Sequence, residues 1–275
     1  MQLKQIIDKN KFKREFITYI RSLIGEDSRM DFFVGKMTEY RLENRGELYF
    51  VGGFVRDFIN DKPSRDIDVI SNVSAEEIQK LINILHIPHK RNRHNGFKLL
   101  FDEMEMDIWS LSDNWAFRKN LVTSDPNETR SISRGAFYNF DSPVFAYTSK
   151  KLSVEYYNKC IKSKILDIQQ ANIEYKKYNP TREANILRAF YLHEKYDLAF
   201  SPNVNQYIYD HISAFDSNYD GAVNRLYSFL ELYPKYSSVL DKTIIKDNCN
   251  EIEDWQFKTF REKREKKKQS SSKST

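Results

Sequence analysis

One stretch of the chain limits the possible fold more than any other, residues 51–70 (VGGFVRDFINDKPSRDIDVI). Residues 48–51 (LYFV) are rich in β-forming side chains and end at Gly52 and Gly53, after which apolar side chains recur at helical spacing. Residues 65–70 (RDIDVI) alternate between polar and apolar side chains, as a half-buried strand does. The pattern predicts a strand, a glycine turn, a helix and a second strand, and therefore a fold that mixes α and β structure.

The second predicted strand carries two aspartates that are two residues apart. Because side chains alternate along a strand, Asp66 and Asp68 share one face at a separation of about 7 Å, while Ile67 and Val69 occupy the other face. Two carboxylates at this separation can both reach a pair of divalent ions about 4 Å apart, which is the arrangement used in phosphoryl transfer. We therefore predict that Asp66 and Asp68 are catalytic metal ligands.

A third carboxylate is expected on a neighbouring strand. Residues 96–101 (GFKLLF) and 104–109 (MEMDIW) predict a β-hairpin. In its second strand Asp107 is predicted to complete the catalytic metal site, and Glu105, on the same face, is the alternative. An all-oxygen site of this kind suits Mg²⁺, with Mn²⁺ as a substitute, rather than zinc.

The glycine turn supplies a second part of the predicted site. Glycine lets the backbone approach a ligand closely, and the N-terminus of the following helix presents N–H groups to phosphate. Arg56, one turn into the helix, adds a donor for charge-assisted hydrogen bonds. We predict that Gly52, Gly53 and Arg56 bind phosphate groups. Each feature is common on its own, and the prediction depends on their combination.

Taken together, residues 51–70 resemble the head-domain signature of the class II tRNA nucleotidyltransferase and bacterial poly(A) polymerase family, within the DNA polymerase β-like superfamily. That signature is roughly VGGxVRD, a short spacer and DxDxV. The resemblance implies that the glycines and Arg56 bind a nucleoside triphosphate and that the DxD pair binds the metals. It also places Asp57 in the nucleotide-binding set, where it orients the glycine loop. The resemblance extends over about residues 48–200 and weakens along the chain.

The next motif of the family, approximately RRDFTINAL, falls near residues 129–136 (TRSISRGA). The arginine-arginine-aspartate part is absent there. Arg134, with Arg130 as the alternative, is expected to contact phosphate or ribose in its place.

The base-selecting element of the family, EDxxRxxRA, aligns with residues 182–189 (REANILRA). Arg182 replaces the acid, Asn185 replaces the first arginine, and Arg188 is retained. This departure implies that the chain does not add C and then A in the standard way. Because an amide can donate and accept at an adenine edge, Asn185 and Arg188 are predicted to bind the nucleotide and adenine is the favoured base.

Helical periodicity dominates beyond Pro143. The expected fold class is α+β, with a nucleotidyltransferase head of mixed or antiparallel sheet and flanking helices, followed by a helical lobe. The predicted divisions are a catalytic head with N-terminal helices (1–147), a helical lobe that binds nucleotide or acceptor (148–260) and a disordered basic tail (261–275).

Composition excludes several classes of protein. The chain of 275 residues is 40% hydrophobic and 30% charged, which indicates a globular protein. No apolar run approaches the roughly 20 residues of a membrane span, and residues 1–10 lack the features of a signal peptide, so we expect no membrane insertion and a cytoplasmic location. The net charge of +5 favours anionic ligands, and two distant cysteines indicate neither a disulfide framework nor a cysteine zinc site.

The expected function is template-independent, metal-dependent transfer of NMP or dNMP from an NTP or dNTP to a nucleic-acid acceptor, RNA or DNA, or to another hydroxyl, but not standard CCA addition. One alternative is nucleotidylation of a protein or small molecule, and another is a non-catalytic nucleotide-binding protein that retains the fold. A partner protein is expected if the chain is part of a toxin or defence system. The sequence makes no prediction of oligomeric state.

Overall fold

The computed structural model describes residues 3–39, 46–64, 66–92, 95–102, 104–118, 128–169, 182–215 and 219–271. The described residues separate into two compact units. Residues up to 163 form the first unit, which we call the head, and residues from 164 onward form the second, which we call the helical unit.

The head contains short strands between amphipathic helices. Its described strands are β1 (Leu48–Val51), β2 (Asp66–Ser71), β3 (His89–Arg91), β4 (Phe97–Leu100), β5 (Glu105–Ser110), β6 (Val144–Ala146) and β7 (Leu152–Ser153). Its described helices are α1 (Lys9–Gly25), α2 (Ser28–Glu39), α3 (Gly52–Ile59), α4 (Ala75–Ile84), α5 (Trp115–Arg118), α6 (Glu128–Gly135) and α7 (Glu155–Ser163). Short 3₁₀ turns lie at Leu111–Asp113 and Asn139–Asp141.

The strands of the head form one sheet in the order β3-β4-β5-β2-β1-β6-β7. Strands β2 and β5 are parallel, and each of the other described neighbours is antiparallel. The sequence prediction of a mixed sheet with flanking helices is therefore confirmed.

One face of the sheet is buried beneath aromatic side chains. Phe16 of α1 packs against Phe50 of β1, Phe54 of α3 and Phe145 of β6, with ring centroids 5.2 to 6.3 Å apart. All four rings are fully buried. Pairs of aromatic rings at such distances contribute about 0.5 to 1.5 kcal/mol beyond the burial of their area. This cluster holds α1 and α3 on the sheet, and it thereby fixes the position of the glycine turn that begins α3.

The opposite face of the sheet is half apolar and half acidic. Tyr49, Ile70, Val144 and Ala146 form an apolar cluster on this face with Ile132 of α6. Two and four residues before Ile70 on β2, the alternation of the strand brings two aspartates to the same face. Helix α6 thus covers the apolar half, and the acidic positions lie toward the start of β2.

The helical unit consists mainly of helices. Its described elements are β8 (Ile165–Leu166), α8 (Arg182–Tyr196), β9 (Ala199–Phe200), α9 (Pro202–Phe215), α10 (Tyr219–Leu230), α11 (Pro234–Ser237) and α12 (Lys242–Ser271). Strands β8 and β9 form a small parallel pair. The helical lobe expected from the sequence is present. In the described part of the chain, no helix combines the length and apolar character needed to cross a lipid bilayer.

The division between the units lies later than the predicted boundary at residue 147. Helix α7 belongs to the head because the buried Tyr157 hydroxyl donates to Lys4 O at 3.1 Å and accepts from Asn60 Nδ2 at 2.9 Å. Helical periodicity shows that α7 is a helix, but it does not show which unit the helix packs on.

The C-terminal segment also differs from the prediction. Residues 261–271, predicted to be disordered, continue α12, and residues 272–275 lie outside the described residues. Lysine, arginine, glutamate and glutamine all have good helix propensity, and an ion pair between Arg261 and Glu265 at i,i+4 adds local support.

Candidate active site

The acidic end of the sheet brings together the carboxylates that the sequence singled out. In the parallel pair β2 and β5, Asp68 is the register partner of Asp107, and Asp66 is the partner of Glu105. Register partners on adjacent strands project to the same face of a sheet, and the strands are about 4.8 Å apart. The two aspartates of β2 and Asp107 therefore share one face and neighbouring positions.

Asp107 and Glu105 differ in their surroundings. The Asp107 side chain is 17% exposed, whereas that of Glu105 is 47% exposed. Burial raises the pKa of Asp107, Lys98 acts against this rise, and the nearby charges of Asp66 and Glu105 add to it. A buried carboxylate gains more from a nearby positive charge than an exposed one does. Asp107, which lies beside Asp68, therefore remains the better candidate for the third metal ligand.

A lysine that the sequence analysis did not single out lies on the same face. Lys98 of β4 is the register partner of Asp107, and its Nζ is 2.8 Å from Glu105 Oε2 and 3.3 Å from Asp107 Oδ2. Burial alone would lower the pKa of Lys98, but the hydrogen bond to Glu105 and the charge of Asp107 raise it overall. The alternation in residues 96–101 could have placed Lys98 on this face, but not its register against β5.

The donor set fits a magnesium ion in its chemistry, since it consists of carboxylate oxygens on two rigid strands. Among the residues that the structure describes, no three histidine, cysteine, aspartate or glutamate side chains are gathered closely enough to hold an ion as they stand. Asp107 is also in contact with Lys98, whose Nζ lies 3.3 Å from its carboxylate. The metal-binding roles of Asp66, Asp68 and Asp107 stay predictions.

The glycine turn lies against this acidic cluster. Gly52 has φ +59°, in the left-handed region that favours glycine, and its N–H donates to Pro143 O at 3.1 Å. A Cβ atom on Gly53 would lie 3.5 Å from Arg56 Nη2 and 4.0 Å from Asp68 Oδ2. The backbone at Gly53 is therefore next to the DxD pair, as the phosphate-binding prediction requires.

Arg56 contacts two carboxylates. Its guanidinium donates to Asp57 Oδ1 at 3.0 Å and to Asp141 Oδ1 at 2.5 Å, and it lies over the ring of Phe140. Asp57 therefore contacts the arginine, and its expected role in orienting the glycine loop stays a prediction. Asp141, from the turn before β6, was not identified by the sequence analysis. A phosphate bound by Arg56 would share the guanidinium with these acids, and the nucleotide-binding role of Arg56 stays a prediction.

The segment aligned with the second family motif forms α6. Ile132 is buried against the sheet, and the Ser133 hydroxyl donates to Ser142 O at 2.8 Å. Arg134 follows on the last turn of this helix and is partly buried. Its contact with phosphate or ribose stays a prediction.

The three residues aligned with the base-selecting element differ in their exposure along α8. Arg182 is exposed, Asn185 is 9% exposed, and Arg188 Nη1 donates to the Tyr236 hydroxyl at 3.4 Å. Burial raises the pKa of the Tyr207 hydroxyl to about 12, and a polar contact with Asn185 acts against this rise. A base that binds to Asn185 would therefore share the Asn185 amide with Tyr207.

An acid that the sequence analysis passed over lies at the start of the same helix. The side chain of Glu183 is 10% exposed and forms an ion pair with Arg225 at 2.6 Å. The signal in the sequence that could have singled out Glu183 is its position, one residue after the place where the family has its acid.

An open cleft of about 560 Å³ borders the acidic cluster. Asp66, Glu105 and Lys98 form its polar side, and Leu100, Phe101 and Met104 are among the residues of its apolar side. The cleft therefore places charged groups next to a surface on which an apolar part of a ligand can pack.

Part of the head matches known proteins in sequence. Residues 48–133 match the poly A polymerase head domain family. A segment of 54 residues is 46% identical to the CCA-adding enzyme of Bacillus cytotoxicus and covers 20% of this chain and 13% of that enzyme. Residues 48–133 contain the glycine turn, the DxD pair and Asp107, so the match includes the head-domain part of the site.

Solved structures of similar fold come from the same class of protein. The chain is similar to a CCA-adding enzyme of Thermotoga maritima complexed with tRNA, with TM-score 0.58, 15% identity and coverage of 92% of this chain and 55% of that one. A CCA-adding enzyme solved with ATP gives TM-score 0.56, 16% identity and coverage of 92% and 54%. The chain thus spans about half the length of these structures, and at this identity the likeness shows a shared fold. The match of residues 48–133 and the similarity to CCA-adding enzymes confirm the resemblance, predicted from the sequence, to the class II tRNA nucleotidyltransferase and bacterial poly(A) polymerase family.

Proposed function

We propose that this chain is a metal-dependent nucleotidyltransferase that transfers an NMP or dNMP to the hydroxyl of a nucleic-acid acceptor without a template. The observation that carries the proposal is the register of β2 and β5, which places Asp68 beside Asp107 and Asp66 beside Glu105 on one sheet face. The matched head-domain family and the fold shared with CCA-adding enzymes support it.

In this proposal the reaction is a displacement at the α-phosphorus of the triphosphate. An acceptor hydroxyl oxygen forms a bond to that phosphorus, the bond to the bridging oxygen breaks, pyrophosphate leaves and the hydroxyl proton passes to solvent. Bound Mg²⁺ supplies positive charge that stabilises the attacking and leaving oxygens. Asp66, Asp68 and Asp107 are the residues that would hold it.

The other residues of the site bind and orient the triphosphate. The backbone at Gly53 lies next to Asp68, so a phosphate held by the start of α3 would be adjacent to the metal ligands. Arg56, fixed by Asp57 and Asp141, supplies a charged donor whose direction is set before the nucleotide binds. Catalysis then comes mainly from positioning and charge stabilisation.

The base preference in this proposal is adenine, and the product is not the standard CCA sequence. Arg182 and Asn185 stand where the family has an acid and an arginine, so the usual protein template for C and A is absent from the sequence. The amide of Asn185 offers a donor and an acceptor that match adenine.

Incubation of the protein with each labelled NTP and dNTP tests the proposal, with Mg²⁺ or Mn²⁺, with and without an RNA or DNA primer, and with products resolved by size. Extension of the primer that depends on the divalent ion is the expected result. Label on the protein itself or on a small molecule would show that the acceptor is not a nucleic acid. The absence of every labelled product would contradict the proposal.

A further inference from the structure

Lys98 lies between two acids on the functional face of the sheet. Its Nζ is 2.8 Å from Glu105 Oε2 and 3.3 Å from Asp107 Oδ2, and its side chain is 32% exposed. The position of Lys98 is determined by the sheet, because Lys98 is the register partner of Asp107 in the antiparallel pair β4 and β5. The contact therefore does not depend on the conformation of a loop.

Asp107 also has an acidic neighbour. On the side opposite Lys98, its register partner on β2 is Asp68. The Asp107 carboxylate thus lies between a strand that carries a cation and a strand that carries two acids. A divalent ion held by Asp68 and Asp107 would be close to the Lys98 ammonium, and two cations a few ångströms apart repel each other strongly where burial lowers the effective dielectric.

Glu105 offers Lys98 another partner. The Lys98 Nζ is closer to Glu105 than to Asp107, and the Glu105 side chain is 47% exposed at the edge of the cleft. A lysine that turns away from Asp107 can therefore keep one ion pair while it moves toward solvent. The flexible four-carbon stem of lysine allows this movement without a change in the backbone.

We propose that Lys98 is the built-in counter-ion of the metal site. While no divalent ion is bound, Lys98 neutralises Asp107. When the ion binds Asp107, Lys98 moves away from Asp107 and remains paired with Glu105. The inference rests on the proposed function, because it takes Asp107 to be a metal ligand. Lys98 is here a positioning residue that sets the affinity of the site for its ion.

The test is Mn²⁺ binding to the full chain without nucleotide, followed by electron paramagnetic resonance of the unbound ion. Lys98→Met keeps an unbranched side chain of similar length and removes its charge, so the ion no longer competes with an ammonium. The expected result is a dissociation constant about tenfold lower than that of the unmodified protein. In the presence of EDTA, the same variant should melt at a lower temperature, because Asp107 and Glu105 lose their cation.

A matched control is available on the next strand. Lys90 of β3 is exposed and is the register partner of Lys98, so it presents a positive charge on the same face one strand further from Asp107. Lys90→Met should leave Mn²⁺ affinity within about twofold, because exposed charges at greater distance are screened. Lys98→Gln serves as a second neutral variant in case Lys98→Met does not fold.

The outcomes separate this inference from the proposed function. Tighter Mn²⁺ binding in Lys98→Met or Lys98→Gln but not in Lys90→Met supports the counter-ion role. If the unmodified protein binds Mn²⁺, Asp66→Asn/Asp68→Asn does not, and both Lys98 variants bind with unchanged or lower affinity, the role of Lys98 is wrong and the metal site stands. If the unmodified protein and all variants fail to bind Mn²⁺, both proposals are wrong.

Discussion

Asp68 and Asp107 occupy the same register position on two parallel strands of the head. Each side chain is carried by a strand whose opposite face is fully buried, at Val69 and Ile108. Carboxylates on such strands keep their relative positions, because moving one requires the core beneath it to move.

The third metal ligand is expected to be Asp107 rather than Glu105. Asp107→Asn should lower the rate of nucleotidyl transfer on the order of a hundredfold or more, because an uncharged amide binds Mg²⁺ poorly. Glu105→Gln should cost less than about tenfold, since its carboxylate is more exposed and pairs with Lys98. Single-turnover primer extension measures both effects. A larger loss of rate in Glu105→Gln than in Asp107→Asn would make Glu105 the third metal ligand instead of Asp107.

The two glycines of the turn should respond differently to alanine. Gly52→Ala should lower the free energy of unfolding by about 1 to 2 kcal/mol, because φ +59° is unfavourable for a residue with a Cβ atom. Gly53→Ala should stay within about 0.5 kcal/mol of the unmodified protein, because its Cβ would make only ordinary contacts. The added methyl should instead weaken triphosphate binding, since it stands where phosphate must approach.

Urea denaturation and titration with a non-hydrolysable triphosphate measure these two properties. Equal destabilisation by both substitutions would show that the turn has a purely structural role. Unchanged triphosphate affinity in Gly53→Ala would remove Gly53 from the nucleotide site.

Much of the head could be predicted from residue pattern. Alternation in residues 65–70 and 104–109 is enough to place Asp66, Asp68 and Asp107 on the strand faces opposite the fully buried ones, because one face of each strand is buried. The glycine pair marked the start of α3, where Gly52 adopts a positive φ. These features are local, and local pattern determines them.

Contacts between distant segments could not be predicted in this way. Lys98 and Asp141 join the site only through the register of β4 against β5 and the approach of a turn to Arg56. The same limit applies to α7, whose packing partner Lys4 is far away in sequence. For α12, the charge run predicts disorder, whereas the helix propensity of its residues continues the helix.

The ion pair between Glu183 and Arg225 should make the stability of the protein depend on pH. Burial alone would raise the pKa of Glu183, but backbone N–H donation and Arg225 lower it below its usual value overall. A carboxylate whose pKa is lowered by folding stabilises the protein above its unfolded-state pKa, and this contribution is lost as the pH falls through the folded-state pKa. Glu183→Gln should therefore cost about 1 kcal/mol near pH 7 and progressively less below pH 4.5.

Denaturation curves of the unmodified protein and of Glu183→Gln, recorded from pH 7 to below pH 4.5, check the sign of this pH dependence of stability. Glu231→Gln, an exposed position in the same unit, is the control and should show little change at any pH. A destabilisation by Glu183→Gln that stays constant down to the acid limit would contradict the ionic origin of the effect.

The adenine preference should depend on the amide of Asn185. A bidentate contact to a base is worth about 1 to 3 kcal/mol, so ATP should be used roughly ten- to a hundredfold better than CTP in equimolar competition. Asn185→Ala should abolish this preference while the transfer chemistry persists. Tyr207→Phe is the matched control, because it removes the hydroxyl that Asn185 contacts and keeps the amide. Equal use of ATP and CTP by the unmodified protein would remove the role assigned to Asn185.

Asp66 and Asp68 are proposed to hold the divalent ions of a nucleotidyl-transfer site. This role is tested by the rate of labelled nucleotide incorporation, with Mg²⁺ and the preferred acceptor, by the protein with Asp66→Ala and Asp68→Ala together. Transfer is expected to be abolished while the melting temperature without metal is unchanged or slightly higher, because the substitutions relieve repulsion between carboxylates. Full incorporation by this folded double variant would show that Asp66 and Asp68 do not hold catalytic ions.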